Sequence, residues 1–436
     1  MFIALSLLAP GILVGLLVVR NYSPWKLVQS LLWRYRWLNL FFILLMAISV
    51  GIGTALLAQE KALRTGTAKA AEKFDLIIAA PGSKLEMMMA AVYLQPVDAP
   101  LLGGAIMERL NNDPRVSLAA PIAYGDSYKE YPIVGSTEEF VTHLSGSLAE
   151  GRIFTGIGEV VIGAKVAVDV GNSFSPVHGH GAAVEGNQHA DKANNDSHDG
   201  HHHHEQTLKV VGRMAMTGSP WDKAIISPVE SVWQVHGLGT GHPPGDTRLG
   251  HPFPSEHFPG TPAIIVHAEQ MWANYALASE YSTEKTMAFF PGTSLAKLHA
   301  MLGDARRAMS LMSTLSEILV AISILIALVI LARLFSRRFS LLRAIGAPGR
   351  FVFAIMWNYI SVLVTLGSVA GLMTGYCLGW LLSYIITRQT DIVVQIQLSW
   401  VELHHVAAFF SLALCLALVP AYIAFRSTTI KDLRAG

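Results

Sequence analysis

Long apolar runs crowd the two ends of this chain, near residues 2–19, 37–58, 315–335, 352–386 and 402–425. Each can cross a hydrocarbon core of roughly 30 Å. Between the second and third lies 59–312, with mixed polarity, turn residues and short alternating stretches. That order predicts an α-helical membrane protein with an inserted α/β extracytoplasmic domain. Residues 1–36 read as an N-terminal hydrophobic segment and interfacial helix, 37–58 as a transmembrane helix and 59–312 as the inserted domain. Residues 313–436 read as a closing segment with three transmembrane helices, giving a four-helix core plus an extra N-terminal helix.

Composition fits that class. The chain is 52% hydrophobic and 14% charged, which excludes a disordered or nucleic-acid-binding profile. Net charge is only +1, so placement of charge says more than its sum. Segment 20–36 carries Arg20, Lys26, Arg34 and Arg36 with no acid. Loop 333–350 carries Arg333, Arg337, Arg338, Arg343 and Arg350, also with no acid. After 425 come Arg426, Lys431 and Arg434 against Asp432 alone. Basic short loops mark the cytoplasmic side, which puts 59–312 and 387–401 outside.

The run 2–19 lacks a basic n-region and a small-residue cleavage site, so it reads as a retained helix with its N-terminus outside. In 24–36, Trp25, Val28, Leu32 and Tyr35 fall near one face, as in a helix lying at the interface. Both cysteines, Cys377 and Cys415, sit inside predicted spans, so the external domain must hold together through its own core.

Within that domain, strands are expected at 74–80, 116–126, 130–136, 159–163, 207–212, 224–228 and 262–267. Helices are expected at 98–111, 137–144, 164–169, 228–236 and 294–310. The insertion 176–206 is low in complexity and holds His178, His180, His189, His198, His201, His202, His203 and His204. These are eight of the seventeen histidines, too polar a setting for a core, so the segment reads as a loop able to gather zinc or a similar ion. A second Pro/Gly-rich loop, 236–260, adds His236, His242, His251 and His257 as a weaker candidate for metal capture.

The closing segment carries a resemblance. Arg337, Leu341, Leu342, Arg343, Ala344, Ile345, Gly346 and Ala347 are followed by a helix with Gly367, Gly371, Gly375 and Gly379. The ending has Pro420, Ala421, Arg426, Asp432, Leu433 and Arg434. Together these resemble the FtsX-like permease family, the MacB-type (type VII) ABC transporter membrane subunit. The phrases GRIF (151–154), EVVIGAKVA (159–167), DVGNSF (169–174) and the run 208–228 resemble that family's periplasmic core.

The resemblance implies a bacterial inner-membrane permease with its large domain in the periplasm, and a separate cytoplasmic ABC ATPase. It implies ATPase coupling through Arg337, Arg338, Leu341, Leu342, Arg343, Ile345 and Gly346. It also implies helix packing through Gly367, Gly371, Gly375 and Gly379, and pairing with a second copy or a related permease. Arg338 stands where the family usually has a glutamate. The His-rich segment falls where the family has a short hairpin connection.

The chain has no G-x-x-x-x-G-K-[ST] and no H-E-x-x-H, so a non-catalytic subunit is expected, meeting ATP only through its partner. No integral cofactor is expected beyond Zn2+ at the His-rich loop. Ionisable residues within the spans are few, namely Glu317, Glu402, His404 and His405, all near predicted external ends. The leading expectation is a permease subunit engaged in zinc handling, with membrane lipid around it and a periplasmic metal-binding or lipoprotein partner. The alternative is a mechanotransmission complex for lipoprotein release or transmembrane signalling, with incidental metal binding.

Overall fold

The computed structural model describes residues 2–19, 24–95, 97–176, 207–390, 394–397 and 399–426. The chain divides into two compact units. One comprises Met1–Thr65, Met301–Ile386 and Val394–Gly436, the other Gly66–Ala300 with Thr387–Val393.

The first unit is helical. It contains α1 (Phe2–Val19), α2 (Trp25–Arg34), most of α3 (Arg36–Ala71), much of α9 (Pro291–Ala344), most of α10 (Gly349–Thr390), α11 (Trp400–Leu416) and α12 (Leu418–Arg426). Among the described residues three stretches are long and apolar enough to cross a membrane: Arg36–Ala71, Gly349–Gln389 and Trp400–Arg426. Ser6–Val18 and Thr314–Ile330 are shorter apolar stretches. Their common core gathers Val28, Phe42, Met46, Phe335, Tyr359 and Leu414 among other buried side chains. Val28 seats α2 on this core with Leu31, Leu32 and Tyr35 beside it, whereas Trp25, expected on the same face, is exposed. Helix α1 packs on α11, where the Gly11 amide donates to Ser411 Oγ at 3.2 Å.

The second unit is α/β. Its strands are β1 (Leu76–Ala79), β2 (Leu118–Tyr128), β3 (Tyr131–Ser136), β4 (Leu148–Gly151), β5 (Glu159–Ile162), β6 (Ser173–Phe174), β7 (Leu208–Met214), β8 (Ile225–Pro228), β9 (Ala263–His267) and β10 (Met287–Phe289). The strand order is β10-β1-β9-β2-β3-β8-β5-β7-β4, with β6 on β7. Pairing is antiparallel except for β3 with β8 and β5 with β7. Strand β2 joins two halves: Leu118–Ile122 pair with β9 and Ala123–Tyr128 with β3, the register shifting between Tyr124 and Ser127. Such a bulge bends a strand and increases its twist. Each half has its own core, one around Leu76, Ile264 and Trp233, the other around Val160, Val210 and Ile225.

Five further helices complete the unit: α4 (Lys84–Tyr93), α5 (Gly104–Asn111), α6 (Glu138–Ser145), α7 (Val229–Val235) and α8 (Met271–Glu280). Ser83 caps α4, its hydroxyl accepting from the Glu86 amide at 3.3 Å. The helix expected at 164–169 does not form. Those residues turn between β5 and β6, and the Lys165 amide donates to Asp222 O at 2.7 Å instead. The helix expected at 294–310 is the start of the much longer α9.

Candidate functional site

Helix α9 ends in the stretch that carries the family-like motif. The Gly346 amide donates to Arg343 O at 3.0 Å and the Ala347 amide to Leu342 O at 3.1 Å. These two bonds make a Schellman cap, and Gly346 takes the left-handed conformation it requires, with φ at +104°. Pro348 follows, and the chain re-enters a helix at Gly349. The expected amphipathic element is therefore the last turns of a 54-residue helix, not a short helix of its own.

Side chains divide there by contact. Leu342 is partly buried on the helical core, whereas Leu341 and Arg343 are exposed and Ile345 is 87% exposed. The side chain of Arg337 lies outside the described residues. Arg338 donates from Nη1 to Tyr35 Oη at 3.0 Å with its guanidinium 5.9 Å from the ring centre. Tyr35 contacts Phe335 with ring centres 5.0 Å apart, and Phe335 lies edge-on to Tyr359 at 6.3 Å. The Tyr359 hydroxyl donates to Asn39 Oδ1, and Asn39 Nδ2 donates to Leu32 O at 2.9 Å. A polar and aromatic chain thus runs from the tip of α9 to α10 and the α2–α3 junction. A positive group needs an electron-rich partner here, and the Tyr35 ring and hydroxyl provide it.

The four spaced glycines Gly367, Gly371, Gly375 and Gly379 of α10 divide three and one. A Cβ on Gly367 would meet Met46, one on Gly371 would meet Val50, and one on Gly375 would meet Gly51 O and Thr54. All three lie against α3. Gly379 faces Ile396 instead. The stripe lets α10 and α3 approach closely within this chain, and Thr374 Oγ1 donates across to Ala47 O at 3.0 Å.

The expected metal ligands His178, His180, His189, His198, His201, His202, His203 and His204 lie outside the described residues. The chain leaves for them after β6 and returns in β7, where Phe174 pairs with Leu208. The second loop, 236–260, does not collect its histidines. His236 and His257 are exposed, while His242 is buried with Nε2 3.4 Å from Glu230 Oε1. His251 is largely buried and packs edge-on to Phe253. Trp233 Nε1 donates to Gly260 O at 3.0 Å, and Phe253 and Phe258 contact its ring. The loop is a packed lobe rather than a solvated one. Among the described residues no group of three or more His, Cys, Asp or Glu side chains could hold a metal ion.

Sequence reasoning missed two polar clusters. Burial pushes the Glu230 carboxyl up, while Oε1 accepts from the Gly250 amide at 2.6 Å. In the second cluster His267 Nδ1 bonds Asp75, and its ring lies 4.9 Å from that of His143. Burial lowers the His143 pKa. Neither cluster has a spacing that could have announced it: Gly250 and His242 reach Glu230 only through the path of the intervening loop, and Asp75 lies 192 residues from His267.

No family model matches this chain, and no curated relative matches it. Among solved structures it is similar to the extracellular domain of the noncanonic ABC-type transporter YknZ from Gram-positive bacteria, at 12% identity and a TM-score of 0.28. The match covers 49% of this chain and 98% of that one. A likeness at that level carries no argument about fold or function.

Proposed function

We propose that this chain is the membrane permease subunit of an ABC transporter, coupling a separate cytoplasmic ATPase to its α/β unit. The observation that carries the reading is the end of α9. There a Schellman-capped turn leaves Leu341 and Ile345 exposed beside Arg343, an apolar and basic tip with the chemistry of a docking surface. Two further features support it. The α/β unit is inserted in sequence between apolar helices, and both α3 and α9 supply residues to each unit. The chain itself has no phosphate-cradling loop, so hydrolysis falls to the partner. The subunit is non-catalytic in this reading, and transmits movement through α3 and α9.

The test is affinity capture of the full-length protein from its native membrane, comparing the natural chain with Ile345→Asp. The natural chain is expected to bring down a P-loop ATPase with measurable ATP hydrolysis, and the variant to lose both. Capture without any such ATPase would end the reading.

The outer task we propose is transition-metal handling, most simply zinc, because eight histidines are concentrated in 178–204. Zinc titration of the full-length protein against a form lacking 178–204 separates the two parts of the proposal. Equal binding by both forms would remove zinc and leave a permease of another cargo.

A further inference from the structure

Helix α2 turns one face to the core and leaves the other uncovered. Val28 is fully buried, while Lys26, Gln29, Ser30 and Trp33 are exposed on the opposite side. Those four residues and Leu32, all on this one helix, line a shallow and open surface depression. Just beyond it, the Arg36 guanidinium lies 5.7 Å from the ring centre of Trp33 and 6.0 Å from that of Trp37. The two indoles are 75% and 74% exposed, so this cation is flanked by aromatic surface that the described residues leave open. Segment 24–37 contains no acid, and among the described residues neither Lys26 nor Arg36 forms an ion pair.

The surroundings say what kind of group would sit there. From Trp37 an exposed apolar stripe runs along α3 through Phe41, Leu44, Ile48, Ile52 and Leu56, at the three- and four-residue spacing of one helix face. Along the chain the polar, cationic face of α2 is thus followed, past the indoles, by an apolar track on α3. That is the division of a phospholipid into headgroup and chains, and indoles favour the boundary between the two.

We propose that the exposed face of α2, with Arg36 and Trp37 at the head of α3, binds an anionic phospholipid. Lys26 and Arg36 receive its phosphodiester. Gln29 and Ser30 offer hydrogen bonds to the headgroup, and the acyl chains lie along Phe41, Leu44 and Ile48. Trp33 and Trp37 hold the Arg36 guanidinium in place, so its charge is set between the indoles before lipid arrives. The inference rests on the membrane-crossing part of the proposed function but not on the ATPase or the metal.

Full-length protein in a neutral detergent, offered equal amounts of phosphatidylglycerol and phosphatidylcholine, is read by native mass spectrometry for bound lipid. Preferential retention of phosphatidylglycerol is expected. Each basic group near an anionic surface contributes about fivefold, so Lys26→Gln with Arg36→Gln should lower that retention by roughly thirtyfold. Lys285→Gln, exposed in the α/β unit, should leave it unchanged.

Should the double variant aggregate, the natural chain in about 0.5 M salt gives the same reading, because screening weakens phosphate binding without any substitution. Equal retention of the two lipids, or retention indifferent to both salt and substitution, would overturn the proposal. Competition by inorganic phosphate alone would reduce the site to an anion pocket without chain recognition, which also overturns it. The double variant is expected to retain the ATPase lost by Ile345→Asp, so failure here and failure of the permease reading are separate results.

Discussion

Glu317 on α9 and His405 on α11 meet with Oε1 and Nε2 2.8 Å apart, the glutamate side chain buried and the histidine half-buried. Their helices are apolar around them, and a carboxylate there has little other solvation. The pair links two segments 88 residues apart in sequence. Replacing one member leaves the other without its partner in an apolar setting, which costs more than removing both.

Glu317→Leu alone should therefore destabilise the helical unit by about 2 kcal/mol, and Glu317→Leu with His405→Leu by clearly less. Thermal unfolding in detergent checks the order. If the double variant is at least as unstable as the single one, the two residues act independently and the pairing is not what stabilises α9 against α11.

The glycines of α10 should differ in what an added methyl does. At Gly367 a new Cβ meets the flexible Cε of Met46 at 2.6 Å, which can swing aside, and one fixed atom, Met46 Cβ, at 2.8 Å. At Gly375 it meets Gly51 O and Thr54 Cβ, both at 2.8 Å, and a backbone carbonyl cannot move without shifting α3. Gly375→Ala is expected to cost about 2 kcal/mol, with Gly367→Ala below that. The midpoint of unfolding in detergent ranks them. A reversed order would mean that α3 yields more easily than the Met46 side chain.

How far the sequence could be read depended on how much chemistry each element carries by itself. Long apolar runs anticipated α1, α3, α10 and the apolar parts of α9 and α11–α12, because twenty apolar residues have few other uses. Strands rich in Val and Ile, such as Leu76–Ala79 and Ala263–His267, were equally legible. Strands β4 (LAEG), β6 (SF) and β10 (MAF) were not, since each is short and exists through its neighbour's hydrogen bonds.

Helices α4 and α8 escaped for another reason. Helix α4 is rich in Met and α8 in Ala, and α8 leaves Met271, Trp272 and Tyr275 exposed, so no clean apolar stripe marks it. At 236–260 the Pro and Gly content suggested an open loop. The residues that hold it, Trp233 and Glu230, lie before it in sequence, and only the fold brings Gly250 and Gly260 back to them. Of the candidate site, the glycine spacing showed that α10 could pack closely, but not that its partner would be α3. Nothing in the motif announced that Tyr35 would receive Arg338.

Asp222 is fully buried and accepts three hydrogen bonds: from the Thr217 amide at 2.7 Å, the Thr217 hydroxyl at 2.8 Å and the Gly218 amide at 2.9 Å. It fixes the turn that delivers Trp221 into contact with Phe74 and Phe140. Asp222→Ala strands the buried Gly218 amide and the part-buried Thr217 amide and should cost about 3 kcal/mol, with Asp222→Asn costing less because its carbonyl still accepts. Chemical denaturation followed by tryptophan fluorescence measures it. A loss under about 1 kcal/mol would show that the turn holds without its carboxylate.

The lobe 236–260 should loosen in mild acid through His251. Burial pushes this imidazole below its ordinary 6.5, so the unfolded chain takes up a proton at a pH where the folded one does not. Stability from the neutral form is present above about 6.5 and is lost as pH falls below it, since the unfolded state then binds more protons. Glu230 opposes this: burial raises its pKa, so its folded form holds a proton the unfolded form has released. The two effects separate by comparing the natural chain with His251→Phe at pH 7.5 and 5.5. Amide exchange in the full-length protein is the measure, and the variant cancels the intrinsic pH dependence of exchange. Peptides across 237–260 in the natural chain should lose protection relative to the variant at the lower pH, and match it more closely at the higher. If the difference between the two chains is the same at both values, His251 does not take up a proton on opening and is not the source of the lobe's acid sensitivity.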